Sequence, residues 1–182
     1  MGFPTKKLQE TGTNLKKILI TVGTHEKGFE RLLNLCSKLK KFEISVQYGA
    51  SSMSEFNENM RDKFDYAPQS KLMELALNSR FVISSASPGS AELAWTSNSI
   101  YVALPREKKF AEAVDDHQID FAEMLETYGA CINLRNEYLC DELLLNLLKR
   151  ERNILNMQKV FQTKLETAKI KMSLLISQNL EK

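Results

Sequence analysis

Short apolar runs alternate with segments of helical periodicity along residues 17–135. The apolar runs are rich in β-branched residues and end at glycine, proline or polar residues, so they predict buried strands. These strands are expected at 17–23, 42–48, 81–84, 100–104 and 130–134. Segment 54–63 is polar, and its structure stays open. Strands alternating with helices predict an α/β, doubly wound parallel sheet of Rossmann-like type, with about five or six strands.

The patterning divides the 182 residues into a polar leader at 1–16, this domain at 17–138 and amphipathic helices at 139–182. The last part has leucine, isoleucine and basic residues at helical spacing and contains no glycine or proline. Two interpretations stay open for it: helices that pack on the domain's own sheet, or a helix that docks on a partner or a membrane surface. We expect the segment after Arg150 to have no necessary place in the core.

Composition narrows the class of protein. Apolar residues make up 43% and charged residues 26%, as in ordinary globular proteins, and the net charge of +2 gives no reason to expect nucleic-acid binding. Cys36, Cys131 and Cys140 lack metal-site spacing, which predicts reduced thiols and no metal. The leader has no apolar core and no run reaches about 18 apolar residues, so we expect a cytoplasmic protein that reaches a membrane only through another molecule.

Two loops that follow predicted strands have the composition of anion sites. Gly23 and Thr24 follow the first strand, and Ser87-Pro88-Gly89-Ser90 opens a helix after another strand. Backbone N–H groups at a helix start favour phosphate, and ligands of such sheets bind beyond the carboxyl ends of the strands. Together the loops indicate a diphosphate site, although neither a dinucleotide fingerprint nor a P-loop is present.

A dense polar block follows at 115–118, with the sequence DDHQ. Asp115 is a good N-cap, and acids at a helix start are favoured by the helix dipole. A carboxylate and an amide beside an anion site are also the groups that hold sugar hydroxyls. The block therefore predicts a helix start, a sugar-binding site, or both.

Two signatures resemble a known family. Residues 18–25 and 29–32 (ILITVGTH and FERL), and residues 105–110 and 114–118 (PREKKF and VDDHQ), resemble PssE/EpsE-type proteins of bacterial polysaccharide synthesis. Those proteins are similar to the carboxyl-terminal domain of glycosyltransferase family 28, the MurG-like GT-B enzymes. They are also similar to the catalytic subunit of the eukaryotic two-part transferase that adds the second GlcNAc to a dolichol-linked sugar.

The resemblance implies the donor-binding catalytic subunit of a two-component inverting glycosyltransferase. Such an enzyme transfers a hexose from a UDP-sugar to a lipid-linked acceptor in exopolysaccharide or capsule synthesis. It implies no cofactor besides the UDP-sugar substrate. It also implies a membrane-attached partner subunit that carries the acceptor site and the catalytic base, and so holds this chain at the inner face of the membrane. Two alternatives remain: a non-catalytic subunit that stabilises the transferase, and a nucleotide-sugar hydrolase on the same half-fold.

Matching the signatures position by position implies three groups of site residues. The donor diphosphate would be bound by Gly23, Thr24, Ser87, Gly89 and Ser90. The ribose would be bound by Glu92, and the transferred sugar by Arg106, Asp116, His117 and Gln118. One segment departs from the pattern: Ser85-Ala86-Ser87 stands where relatives have a histidine and two glycines, which adds side chains where backbone should approach the ligand closely.

Overall fold

The computed structural model describes residues 17–52 and 58–180. In this part of the chain, six strands form one parallel sheet in the order β3-β2-β1-β4-β5-β6. The strands are β1 (Lys17–Thr21), β2 (Glu43–Gln47), β3 (Met60–Phe64), β4 (Phe81–Ser85), β5 (Ile100–Leu104) and β6 (Ile132–Asn133). The predicted doubly wound, Rossmann-like sheet is confirmed. The expected leader at 1–16 lies outside the described residues.

Helices connect the strands and cover both faces of the sheet. They are α1 (Glu30–Cys36), α2 (Gln69–Leu77), α3 (Pro88–Thr96), α4 (His117–Thr127), α5 (Asp141–Lys149) and α6 (Glu151–Leu180). The chain winds outward from β1 to β3, and α2 then returns it to β4 on the other side of β1. This reversal opens a crevice between the carboxyl ends of β1 and β4, the place where such sheets bind ligands.

Strand β3 is the element whose structure the sequence left open. Met60 is buried, whereas the next three residues, Arg61 to Lys63, are exposed. The strand lies at the sheet edge and pairs only with β2 among the described strands, with a register shift between Ile44 and Ser45. Polar residues suit an exposed edge because they discourage pairing with other chains, so this strand lacks the apolar pattern of its neighbours.

The alternation of side chains along β1 separates two cores. Ile18 and Ile20 lie on the face covered by α1 and α5, and Leu19 lies on the face covered by α3 and α4. On the second face, α3 presents small residues to the sheet, including the fully buried Ala91 and Ala94. These small side chains let the helix approach closely, which brings its N-terminus to the carboxyl edge of the sheet.

The carboxyl-terminal helices are partly built into this domain. Leu144 of α5 and Ile154 of α6 belong to the first core, and the ring of Phe161 packs edge-on to Trp95 at 5.5 Å between centroids. Gln158 is 2% exposed, and its amide pairs with backbone groups at the start of β5. The expectation that residues after Arg150 have no necessary place in the core is therefore wrong for the first three turns of α6.

The second half of α6 differs from the first. Every residue from 163 to 173 is exposed. No helix in the part of the chain that the structure describes is long and apolar enough to cross a membrane.

Candidate functional site

The loop after β1 is shaped by Gly23. Its φ of +77° lies in the left-handed region that favours glycine, and its N–H donates to Thr21 Oγ1 at 3.2 Å. A Cβ added at Gly23 would meet no atom within 4 Å, so the backbone conformation, not crowding, calls for glycine here. Thr24 follows with an exposed side chain. The loop therefore presents backbone and a hydroxyl to open space at the switch point.

Serine hydroxyls tie the start of α3 to the end of β1. Ser84 Oγ donates to the Thr21 carbonyl at 2.5 Å and lies 2.8 Å from Ser90 Oγ. Ser87 Oγ donates to Ser90 Oγ at 2.9 Å and accepts from the Ser90 N–H at 3.3 Å, which makes Ser87 the N-cap of the helix. The two loops expected to bind diphosphate are thus adjacent, and the second loop carries the positive end of the α3 dipole.

Glu92 lies one turn further along α3. Its side chain is exposed. The hydrogen bond to Glu166 raises the pKa of Lys169, and the charge of Glu92 adds to this rise. The charge of Glu92 therefore reaches the exposed half of α6.

Arg106 follows β5 and is 1% exposed. Its guanidinium donates to four backbone carbonyls, those of Val22 at 3.0 Å, Lys27 at 3.1 Å, Gly28 at 2.9 Å and Glu112 at 3.2 Å. The Phe29 ring lies beneath it, 4.4 Å from the guanidinium carbon to the ring centroid. Burial lowers the pKa of Arg106, and the charges of Glu112 and Glu30 oppose that effect. The structure thus places this side chain beneath the loop that follows β1.

The polar block at 115–118 forms the start of α4, which begins at His117 with Asp116, rather than the expected Asp115, as the N-cap residue. Asp116 Oδ1 accepts from the Lys108 N–H at 2.8 Å. The Asp115 carboxylate accepts from the His117 N–H at 3.2 Å and also contacts Nδ1 of that ring, and these contacts lower the pKa of Asp115. The His117 side chain is 70% exposed.

Gln118 differs from its neighbours because it is 8% exposed. Its Oε1 accepts from the Arg106 N–H at 3.1 Å. Its Nε2 has no hydrogen-bond partner among the residues that the structure describes. The amide is therefore held in one orientation, with its donor available to a ligand.

A charge network beneath this block was missed at the sequence level. Arg31 donates to both carboxylate oxygens of Glu112, at 2.9 and 2.6 Å, and to the Pro105 carbonyl at 2.6 Å. The 3% exposed Glu107 lies 2.7 Å from Lys109 Nζ and 3.8 Å from Arg135 Nε. Two open cavities of about 510 and 530 Å³ border the network. Arg31 is more than 70 residues away from Glu107 and Glu112 in the sequence. Ion pairs between such distant residues leave no local pattern, so periodicity could not reveal the network.

Among the described residues, no group of three or more histidine, cysteine, aspartate or glutamate side chains could hold a metal ion. No protein-family model matches the sequence, and no curated protein matches it with significant similarity.

Solved structures share the fold. The glycotransferase of kitacinnamycin superposes with a TM-score of 0.61 at 15% identity, over 90% of this chain and 43% of its own. The glycosyltransferase SnogD from Streptomyces nogalater gives 0.60 at 16%, over 95% and 47%. MurG from Acinetobacter baumannii gives 0.54 at 17%, over 82% and 46%. This chain therefore has the Rossmann-like architecture of one half of a GT-B fold, and it spans less than half the length of these proteins.

Proposed function

We propose that this chain is the donor-binding catalytic subunit of a two-component inverting glycosyltransferase that takes a hexose from a UDP-sugar. One observation carries the proposal. At the switch point, the Gly23 loop and the start of α3 are joined through Ser84, and α4 contributes the free amide donor of Gln118 from the same edge of the sheet. An anion site beside a fixed sugar-binding donor suits a nucleotide sugar.

In this proposal, the diphosphate lies against the N-terminus of α3. The N–H groups of Gly89 and Ser90 and the hydroxyl of Thr24 donate to its oxygens, and the helix dipole stabilises the charge that grows on the leaving diphosphate. The Ser87 hydroxyl now holds the Ser90 N–H, so this cap opens when the ligand binds. Glu92 accepts from the ribose hydroxyls.

The transferred sugar lies at the start of α4. Gln118 Nε2 donates to its hydroxyl groups, and the exposed side chains of Asp116 and His117 border it. The acceptor hydroxyl must also lose its proton, which requires a base in contact with it. We assign that base, together with the acceptor site, to a partner subunit, as the resemblance to two-component transferases implies.

The exposed surface of α6 supports the proposal of a partner subunit. Ile154, Gln158 and Phe161 face the domain, and the same spacing of three and four residues continues to Leu165 and Met172, which are 38% and 65% exposed. A stripe that is buried along its first half and exposed along its second suits docking on another protein. The charge of Glu92 reaches this exposed half, so the partner would lie beside the donor site.

Basic residues flank the exposed part of the stripe. Lys164, Lys169 and Lys171 are exposed on α6. Lysines on such a face add electrostatic attraction to an anionic membrane surface. The exposed lysines therefore support the proposal that the acceptor is lipid-linked and lies at the inner face of a membrane. The chain would reach it through the membrane-attached partner, in exopolysaccharide or capsule synthesis.

The test of donor binding is calorimetric titration of the purified chain with UDP and a panel of UDP-sugars. We expect weak binding, and no transfer to a lipid-linked acceptor until the product of the adjacent open reading frame is added. Absence of binding would favour a non-catalytic subunit. Release of free sugar by the chain alone would favour a hydrolase.

The test of the partner surface is co-purification with that second protein. Met172→Ser changes the stripe, and Ile170→Ser changes an exposed residue of the same helix off the stripe. We expect only Met172→Ser to lose the partner. Equal retention by both variants would exclude the stripe as the docking surface.

A further inference from the structure

We propose that Arg106 is a positioning residue that fixes the diphosphate loop relative to the sugar-holding amide. That the loop binds diphosphate and the amide binds sugar rests on the proposed function. That Arg106 connects the loop to the amide rests on contacts within the chain. Arg106 reaches both parts of the site from one position. Its guanidinium holds the loop after β1, and its backbone N–H holds Gln118.

The guanidinium holds both ends of the loop. Nη2 donates to the Val22 carbonyl, directly before Gly23, and Nη1 donates to the carbonyls of Lys27 and Gly28, where the loop ends. Residues 23–26 lie between these anchors, and among them are Gly23 and Thr24. Without the anchors, the loop would keep only local bonds between residues 21 and 27, those of the Gly23 N–H to Thr21 Oγ1 and of the Lys27 N–H to His25 Nδ1.

The chemistry of the side chain fits this role. The planar guanidinium has five N–H donors in a fixed fork, so it can reach separate carbonyls at once, whereas the lysine ammonium acts as a point charge. Its four hydrogen-bond acceptors are all backbone carbonyls. A buried guanidinium that donates only to backbone carbonyls fixes the backbone conformation of those residues. The Phe29 ring packs against the guanidinium and keeps it in its plane.

The backbone of Arg106 acts on the other half of the site. Because its N–H is accepted by Gln118 Oε1 at 3.1 Å, the amide cannot flip, and Nε2 stays on the opposite side. One residue therefore determines the distance between the loop and the amide donor. A shift of this kind has large effects, since displacement of about 1 Å in a site can cost on the order of a hundredfold in rate.

The experiment uses the full chain, with Arg106→Lys and Arg106→Met as test variants. Arg80→Lys is the matched control, because Arg80 is also largely buried, with a side chain 22% exposed, and pairs with Glu151 at the amino edge of the sheet, 3.1 Å from Nη1 to Oε1. Amide hydrogen exchange is followed for residues 22–29 and for β4. UDP and UDP-sugar affinities are measured by titration on the same samples.

We expect exchange of residues 22–29 to rise about tenfold or more in both Arg106 variants while β4 keeps its protection, as local opening without global unfolding requires. Donor affinity should fall about tenfold, the loss that follows when hydrogen bonds to a charged group no longer hold the site. In Arg80→Lys, loop exchange and donor affinity should stay at wild-type values, whatever thermal stability this substitution costs.

Uniform loss of protection across the loop and β4 would overturn the positioning role, and so would unchanged loop exchange in Arg106→Lys. If wild-type protein binds no UDP at all, the proposed function fails, and loop exchange still decides whether Arg106 positions the loop.

Discussion

The hydroxyl of Ser87 accepts a hydrogen bond from the Ser90 N–H at 3.3 Å, and so occupies a donor at the start of α3 that a phosphate would use. Pro88 at the first helical position has no N–H. Among the described residues of this first turn, the N–H of Gly89 is therefore the one without a hydrogen-bond partner. The cap and the proposed ligand therefore compete.

We expect Ser87→Gly to tighten UDP binding about twofold, because the ligand no longer displaces the serine cap. Glycine is itself a tolerated N-cap, so the helix should lose only a few tenths of a kcal/mol. Calorimetric titration measures the affinity, and a thermal melt checks the fold. Weaker binding would show instead that the Ser87 hydroxyl contacts the phosphate directly.

Gln118 allows its two amide atoms to be tested separately. Gln118→Glu keeps an oxygen for the Arg106 N–H and removes the free Nε2 donor, whereas Gln118→Ala removes both. We expect both variants to lose on the order of 1–2 kcal/mol of affinity for a UDP-sugar beyond any loss for UDP. Only Gln118→Ala should also lower the melting temperature.

Titration with UDP and with UDP-sugar gives this difference for each variant. Equal losses for the two ligands would mean that Gln118 shapes the pocket without touching the sugar.

The central strands could be predicted because buried parallel strands have continuous apolar runs. The edge strand β3 could not, since its exposed Arg61, Asp62 and Lys63 resemble a loop. At the site, the sequence placed Gly23 and the start of α3 at one edge because the carboxyl ends of parallel strands meet there. The sequence could not show whether a side chain faces the ligand or the protein interior. Arg106 is the example, because it was expected beside the sugar and lies buried beneath the loop that follows β1.

Gly129, after α4, has a φ of +65°, and a Cβ there would clash with Met157 Cε of α6. We expect Gly129→Ala to destabilise the protein by about 1–2 kcal/mol, mainly through the left-handed backbone. Urea unfolding measures the change. Adding Met157→Ala should relieve only the steric part, because the methionine tip can move. Full rescue by Met157→Ala would show that crowding, not φ, limits this position.

The buried thiols predict a pH dependence of stability. Burial raises the pKa of Cys36 well above its ordinary value and raises that of Cys131 to about 12. The unfolded chain loses these protons near pH 8.5, while the folded chain keeps them. Stability is therefore complete below about pH 8.5 and falls as pH rises, by up to about 1.4 kcal/mol per pH unit for each thiol.

Urea unfolding between pH 7 and 10 measures this slope. A Cys36→Ala, Cys131→Ala double variant should flatten it, and Cys140→Ala, which changes a half-buried thiol, should not. A wild-type curve as flat as that of the double variant would contradict the burial of the two thiols.

Gln158 completes a sheet edge that β6 leaves open. Among the described residues, strand β6 pairs only with Val102 and Ala103 of β5. The amide of Gln158 accepts from the Tyr101 N–H and donates to the Ser99 carbonyl, both at 2.9 Å, so it replaces the missing strand at the start of β5. We expect Gln158→Leu to cost about 2–4 kcal/mol of unfolding free energy, because two buried backbone groups lose their partners.

Gln162→Leu is the matched control, since Gln162 lies one turn further along α6 and is only partly buried. It should change stability by less than about 0.5 kcal/mol, as surface substitutions do. The same contacts predict that truncation after Arg150 abolishes cooperative melting, because it removes Ile154 and Gln158, whereas truncation after Gln162 preserves it. Two results together would contradict the docking of α6 on β5: equal effects of Gln158→Leu and Gln162→Leu, and a cooperative melt after truncation at Arg150. The whole of α6 would then be available to a partner.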